Sequence, residues 1–210
     1  MESKKVSNNM LARMPIYLNY IKALPETTKN ISATKIANAL GLGEVSVRKD
    51  LAKVSDGGRC KLGYPCDELI KDIESFLGVK KALKAVVVGK GEMLQVLLNY
   101  GGFENAGLNV VAAFDTSLDE NRSVKEQKVF GIQKLEEICE ENNVSIGIIM
   151  TAADDAQEIC DLLISKGIEG IWNFTPVHLS VPEHVVLQNE SFTASITKFR
   201  MQLKERNEAS

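Results

Sequence analysis

Nowhere in these 210 residues do 18 apolar residues run together, so the chain offers no candidate transmembrane helix. The opening MESKKVSNN lacks the apolar core of a secretory leader, and a cytoplasmic protein with no membrane role is expected. Histidine is scarce: His178 and His184 are the only two imidazoles. The four cysteines, Cys60, Cys66, Cys139 and Cys160, form no CxxC pair, so the usual ligand set of a zinc site is missing and no metal is expected. Cys139 and Cys160 fall on apolar positions of predicted helices and read as core thiols. Cys60 and Cys66 flank a loop, where a redox role would require a lowered thiol pKa that nothing in the sequence supplies.

What is present is enough apolar material, 44% of residues, for one ordinary core and a second smaller one. The net charge of -3 is unevenly spread. Residues 1–64 carry 11 Lys/Arg against 5 Asp/Glu, a net of +6, and the remainder carries a net of -9. A cationic head on an acidic body suits a protein that holds a polyanion at one end.

The head reads as a helix-turn-helix. Met10, Leu11, Met14, Tyr17, Leu18 and Ile21 repeat at the three-and-four spacing of one helix face. Ser32 is placed to cap a helix running through Leu40, Gly41 and Gly43 punctuate a turn, and Glu44–Val54 forms a second helix with Val45, Val47, Leu51 and Val54 as apolar positions. On this second helix Ser46, Lys49 and Lys53 share an exposed face, with Arg48 at its margin. Such side chains offer the hydroxyl and cationic donors that base edges and phosphates accept in a major groove. Beyond it, SDGGRCKLGY supplies a glycine-rich turn bearing Arg59 and Lys61, the wing of a winged helix.

Further along, strands and helices alternate. LKAVVVG, LNVVAAF, SIGIIM and GIEGIWNF are short β-branched runs separated by helical stretches around Met93–Tyr100, Gln133–Glu141 and Asp154–Lys166, which implies βαβ units and a parallel sheet. The first turn reads Gly89, Lys90, Gly91, Glu92, Met93, Leu94. Gly89 permits the tight turn and Gly91 lets a diphosphate approach the backbone, but Leu94 stands where a third glycine would allow close helix packing. Glu92 would repel a phosphate, and Lys90 is placed to offset it. Asp115 closes the second strand 24 residues after Gly91, near the spacing of about 20 at which an acid binds an adenosine ribose. A 2′-phosphate would be disfavoured there. A catalytic reading, as a small NAD-dependent oxidoreductase, would need an acid, base or nucleophile beside the cofactor. His178 is the only imidazole near the carboxyl edge of the sheet, without a Lys-Tyr or His-Asp set, so an enzyme is not expected. At the end of the chain, Phe192, Ile196, Phe199 and Leu203 form a narrow apolar seam suited to packing on another helix, of a partner subunit or of the same body.

The order of these pieces resembles the Rex family of redox-sensing transcriptional repressors from about Ala12 to Leu203. The stretches that carry the likeness are VRKDL (47–51), LGY (62–64), LLNYGGF (97–103), VAAFD (111–115) and NFTPVHL (173–179). The resemblance implies an α/β protein with an N-terminal winged helix-turn-helix domain (1–78), a Rossmann-like parallel-sheet domain (79–190) and an exchanged C-terminal helix (191–210). It also implies a homodimer on a palindromic double-stranded DNA operator, with NAD(H) as cofactor: NADH closes the dimer and releases DNA, whereas NAD+ permits binding. Gly89, Gly91, Tyr100 and Asp115 fall on family positions, Tyr100 on the tyrosine tied to redox signalling. Leu94, Asn19 and Ser191 depart, the last two replacing an arginine and an aspartate of the polar switch, and Lys53, Val54 and Ser55 replace aromatic and glycine residues after the recognition helix. Three versions follow: a rewired NAD(H) sensor, a sensor of another adenine nucleotide, and a DNA-binding protein with no ligand.

Overall fold

The computed structural model describes residues 6–59, 62–118 and 128–208, which divide into two units between Lys81 and Ala82. In the first unit, helix α1 (Asn8–Lys22) starts at Ser7, whose Oγ accepts the Met10 N–H. Strand β1 (Asn30–Ile31) leads into α2 (Ala33–Leu40), where the Ser32 hydroxyl oxygen accepts the Lys35 N–H at 3.1 Å and Gly41 ends the helix in the left-handed region. Helix α3 spans Glu44–Val54, β2 is Tyr64–Pro65 and α4 is Cys66–Leu77. Met10, Met14, Tyr17, Ile36, Val47, Leu51, Leu69 and Ile73 interlock into one buried core, so α1 and α4 brace the helix-turn-helix from behind.

Two positions assigned to the core by periodicity lie outside it. Val45 is 67% exposed and Leu11 is also exposed, because each sits one position off the face that meets the other helices. The wing also differs from a self-contained hairpin. Arg59 and Gly63 exchange backbone hydrogen bonds at 2.8 and 2.9 Å, but the returning strand β2 pairs antiparallel with β1, from before the helix-turn-helix. Gly63 is obligatory there: its φ is +78°, and a Cβ would stand 2.3 Å from the Ile31 carbonyl oxygen.

The second unit is a six-stranded parallel sheet in the order β5-β4-β3-β6-β7-β8. Its strands are β3 (Leu83–Gly89), β4 (Leu108–Asp115), β5 (Val129–Gly131), β6 (Ile146–Met150), β7 (Gly170–Asn173) and β8 (Val186–Asn189). Helices α5 (Met93–Leu98) and α6 (Gly102–Asn105) lie on one face with Leu94 in its core; α7 (Leu135–Asn142) and α8 (Ala156–Ser165) cover the other, with Cys139, Cys160 and Leu163. Chain order therefore reverses between β3 and β6, and the crevice of a doubly wound fold opens at the carboxyl ends of those two strands. Helix α9 (Phe192–Glu208) follows β8 and has no buried residue. Among the described residues no helix is long and apolar enough to cross a membrane.

Candidate functional site

Helix α3 presents Ser46, Arg48, Lys49 and Lys53 to solvent. Arg48 is not a bystander at the margin of that surface. It pairs with Glu44 one turn earlier and lines, with Arg59 of the wing, a concavity of about 410 Å³ that also includes Thr34 and Gly58. Helix and wing thus bring two arginines to one hollow. Lys61, the other wing cation, lies outside the described residues, as does Cys60.

The pose of α3 depends on a residue that sequence periodicity did not single out. Asp50 is 5% exposed, and its Oδ2 accepts Arg13 Nε at 2.8 Å and the Tyr17 hydroxyl at 3.0 Å, with Arg13 Nη2 at 2.7 Å. The bond to Asp50 raises the Arg13 pKa above its ordinary value, and burial, reinforced by Asp50, raises that of Tyr17, so both keep their protons. A cationic surface helix is thereby tied to α1 from its inner side.

In the second unit the glycine turn and the acid meet. Gly91 has φ +76° with open space around it, and its N–H donates to Asp115 Oδ2 at 3.1 Å. Asp115 Oδ1 accepts the Ser117 amide at 2.8 Å and the Ser117 hydroxyl at 2.6 Å. Burial works against ionisation of Asp115, but the Ser117 and Gly91 hydrogen bonds and the nearby Lys90 charge outweigh it and hold the carboxyl below its ordinary pKa. The result is a fixed anion with lone pairs to spare, beside the Thr116 hydroxyl oxygen, which is buried and has no hydrogen-bond partner among the described residues. An orphaned hydroxyl and a spare acceptor at the carboxyl end of β4 fit the hydroxyls of a ribose. Glu92 and Met93 are exposed on the same turn. Lys90 does not turn to Glu92; its Nζ lies 3.2 Å from Asp155 Oδ2, across the crevice.

Tyr100 is not part of this cluster within one chain. It is 57% exposed on the turn after α5, which ends at Leu98, and lines a cavity of about 590 Å³ with Phe103, Glu104 and Asn109, where β4 begins. Its ring meets Phe103 edge-on at 5.0 Å, and contacts continue from Phe103 to Trp172 (5.8 Å), Trp172 to Phe174 (4.9 Å) and Phe174 to Phe192 (6.1 Å). An unbroken aromatic series therefore joins the tyrosine to the first residue of α9. Ser191 caps that helix, its Oγ accepting the Ala194 N–H at 3.0 Å, and Asn19 is exposed on α1. His178 is exposed after β7, where buried Asn173 fixes the loop by donating to the Val177 carbonyl and accepting from Thr175. Cys66, Cys139 and Cys160 are buried free thiols; burial pushes Cys66 up and takes the other two to about 11, which disfavours the reactive thiolate in all three.

Two family descriptions match the chain: "Putative DNA-binding protein N-terminus" over residues 5–52 and "CoA binding domain" over residues 80–177. The redox-sensing transcriptional repressor Rex of Clostridium botulinum is 34% identical over 93% of this chain and 94% of its own. That of Porphyromonas gingivalis is 36% identical over 91% and 89%. Among solved structures, RSP in complex with β-NAD+ and operator DNA superimposes with a TM-score of 0.84 at 29% identity, covering 98% of this chain and 95% of that one. RSP with β-NADH gives 0.79 at 28% identity, covering 98% and 97%. The relatives are transcriptional repressors rather than enzymes, and with a third of its residues shared along nearly its whole length this chain belongs to the Rex family of redox-sensing transcriptional repressors.

Proposed function

We propose that this protein is a homodimeric repressor that holds a palindromic operator through the residue 1–78 head and sets its grip by the NADH/NAD+ ratio sensed in the residue 79–190 body. The observation that carries this reading is the full-length likeness to a repressor solved with β-NAD+ and operator DNA together, in a chain that has both a cationic helix-and-wing surface and a switch-point crevice with a fixed acid. In the crevice, Asp115 and Thr116 would hold the adenosine ribose, while Gly89 permits the tight turn and Gly91 leaves room for the diphosphate beside Lys90, Glu92 and Met93. The dinucleotide supplies a nicotinamide whose charge differs between its two redox states. This chain supplies the fixed anion, the phosphate berth and the aromatic series that links Tyr100 to the arm, residues 191–210. With no buried residue of its own, α9 is available for exchange with a second copy. NAD+ permits operator binding and NADH releases it. Asn19 and Ser191 lack the charge-assisted link of the family switch, worth about 1.5–3 kcal/mol, so the aromatic series and the capped start of α9 carry more of the coupling here.

Two measurements test the halves separately. In a mobility-shift assay on an operator selected by the protein from random DNA, Lys49→Ala is expected to weaken binding. If Lys49 meets a phosphate, the slope of log affinity against log salt falls by about one unit. If it meets a base, the loss is about 1–3 kcal/mol, with relaxed sequence preference. Unchanged affinity would remove Lys49 from the interface. In calorimetry, wild type is expected to bind NADH and Asp115→Ala to bind it about tenfold or more weakly, the worth of a hydrogen bond to a charged acceptor. Absence of NADH binding by wild type would end the redox-sensing half and leave the operator half standing.

A further inference from the structure

The glycine turn of this chain is poorly equipped, by itself, to attract a diphosphate. Helix α5 has only six residues and so sums few peptide dipoles, Leu94 occupies the place of the third glycine, and Glu92 puts a carboxylate directly ahead of the helix. The Gly91 N–H, which a phosphate oxygen would otherwise claim, already donates to Asp115. The positive charge on this turn is that of Lys90.

Lys90 stands at a particular place. It follows Gly89 at the end of β3, and Asp155 closes the short turn Ala153–Asp155 after β6. β3 and β6 are the neighbouring strands between which the chain order reverses, with Gly89 beside Met150 at their carboxyl ends. The 3.2 Å contact from Lys90 Nζ to Asp155 Oδ2 therefore bridges the mouth of the crevice, joining residues 65 positions apart. Both side chains are about half exposed, and the Lys90 charge is also felt by Asp115 on the other side. One ammonium group stands among an acid fixed on β4, an acid beyond β6 and the space where a dinucleotide's diphosphate would cross.

We infer that Lys90 is an exchangeable cation: Asp155 holds it across the empty crevice, and the diphosphate bridge of a bound dinucleotide takes it over, so that Asp155 tunes ligand affinity by competing for the same charge. The inference rests on the dinucleotide reading above and names the groups that set its strength. A point charge on a flexible stem suits such a role, since an ammonium can change partners without the geometric demands of a guanidinium. A half-exposed ion pair is also weak enough to be given up, whereas a phosphate with two or more charges is the stronger partner.

The test is calorimetric titration of the full-length protein with NADH, and with adenosine as a probe that lacks phosphate. Asp155→Asn is expected to tighten NADH about threefold, the range open to an exposed ion pair. Lys90→Gln is expected to weaken it about tenfold, as for loss of a charge-assisted hydrogen bond. Adenosine affinity should stay within about twofold in both, by the same principle, since no charged group of the probe meets Lys90. Asp154→Asn, the same change of charge one residue away, serves as the control and is expected to leave NADH affinity unaltered. NADH binding by wild type together with an Asp155→Asn variant that is unchanged or weaker overturns the exchange, as does an equal gain from Asp154→Asn, which would assign the effect to net charge. No NADH binding by wild type overturns the dinucleotide reading and the exchange with it. All three substituted positions, Lys90, Asp154 and Asp155, are at the surface, and circular dichroism of each variant confirms that the fold is retained.

Discussion

Asp50→Ala is expected to destabilise the first unit by about 2–4 kcal/mol and to abolish operator binding without any change to a residue that faces DNA. Removing one partner of a buried ion pair costs about 3–5 kcal/mol when the other charge is stranded. Here the guanidinium of Arg13 keeps some access to water, its side chain being 24% exposed, which lowers the figure. The Tyr17 hydroxyl, on a fully buried residue, loses its acceptor and adds part of the cost back. For a unit of this size each kcal/mol moves the melting point by about 4–8 °C, so the first unit should melt about 8–32 °C earlier. Tyr17→Phe deletes a donor and leaves the Arg13–Asp50 pair intact, so it should cost about 1 kcal/mol. The single tryptophan, Trp172, is in the second unit, so its fluorescence transition should stay in place while the helical circular dichroism signal loses an early component. An Asp50→Ala melting point within a few degrees of wild type would show that Asp50 is not what ties the recognition helix to α1. Raised pH offers a second check. Tyr17 has a folded-state pKa above its ordinary value, so its contribution is complete below about pH 10 and is lost as pH rises through the folded value. Asp50→Ala should shrink that alkaline loss without removing it, since burial of Tyr17 is the larger cause of the raised pKa and Asp50 the smaller.

The contrast between Asp50 and its neighbours shows what the sequence could and could not reveal. The bounds of α2 and α3 were legible because they are set locally: Ser32 caps, Gly41 takes φ +64°, and apolar spacing fills the interval. Strands β3, β4, β6 and β7 were legible because each lies in an apolar run, LKAVVVG, LNVVAAF, SIGIIM and GIEGIWNF. Asp50 was not, since a charged residue in a helix reads as a solvated face unless its partner is known, and Arg13 lies 37 positions away. Val45 failed for the complementary reason: periodicity assigns an apolar residue to a face, but only the angle at which α2 crosses α3 decides where that face ends. β5, of three residues, is too short to show alternation, and β8, VLQN, is exposed at three of its four positions and forms no apolar run. The aromatic series from Tyr100 to Phe192 and the Lys90–Asp155 bridge join residues brought together by sheet order alone.

Leu94→Gly, which would restore the third glycine of the dinucleotide fingerprint, is expected to damage the second unit rather than improve it. In the common arrangement that glycine lets the helix press against the first strand. Here Leu94 is 1% exposed and fills the space itself, packed among Ala85, Val87, Val110, Ala113 and Ile148. Gly89 is its counterpart: a Cβ there would stand 3.2 Å from Leu94 Cδ2 and 2.8 Å from the Met150 carbonyl oxygen, so the strand has given up its side chain where the helix has gained one. Deleting a buried leucine side chain costs about 2–5 kcal/mol, and glycine in place of alanine inside a helix adds about 1 kcal/mol. The expected loss is therefore about 3–6 kcal/mol, read as an early Trp172 fluorescence transition while the first unit melts as in wild type. Because α5 also carries the turn that holds Gly91 against Asp115, NADH affinity should fall with stability. A Leu94→Gly protein that binds NADH more tightly and melts unchanged would mean that α5 can move inward onto β3, and that the packing of Leu94 against Gly89 is not what holds the helix in place.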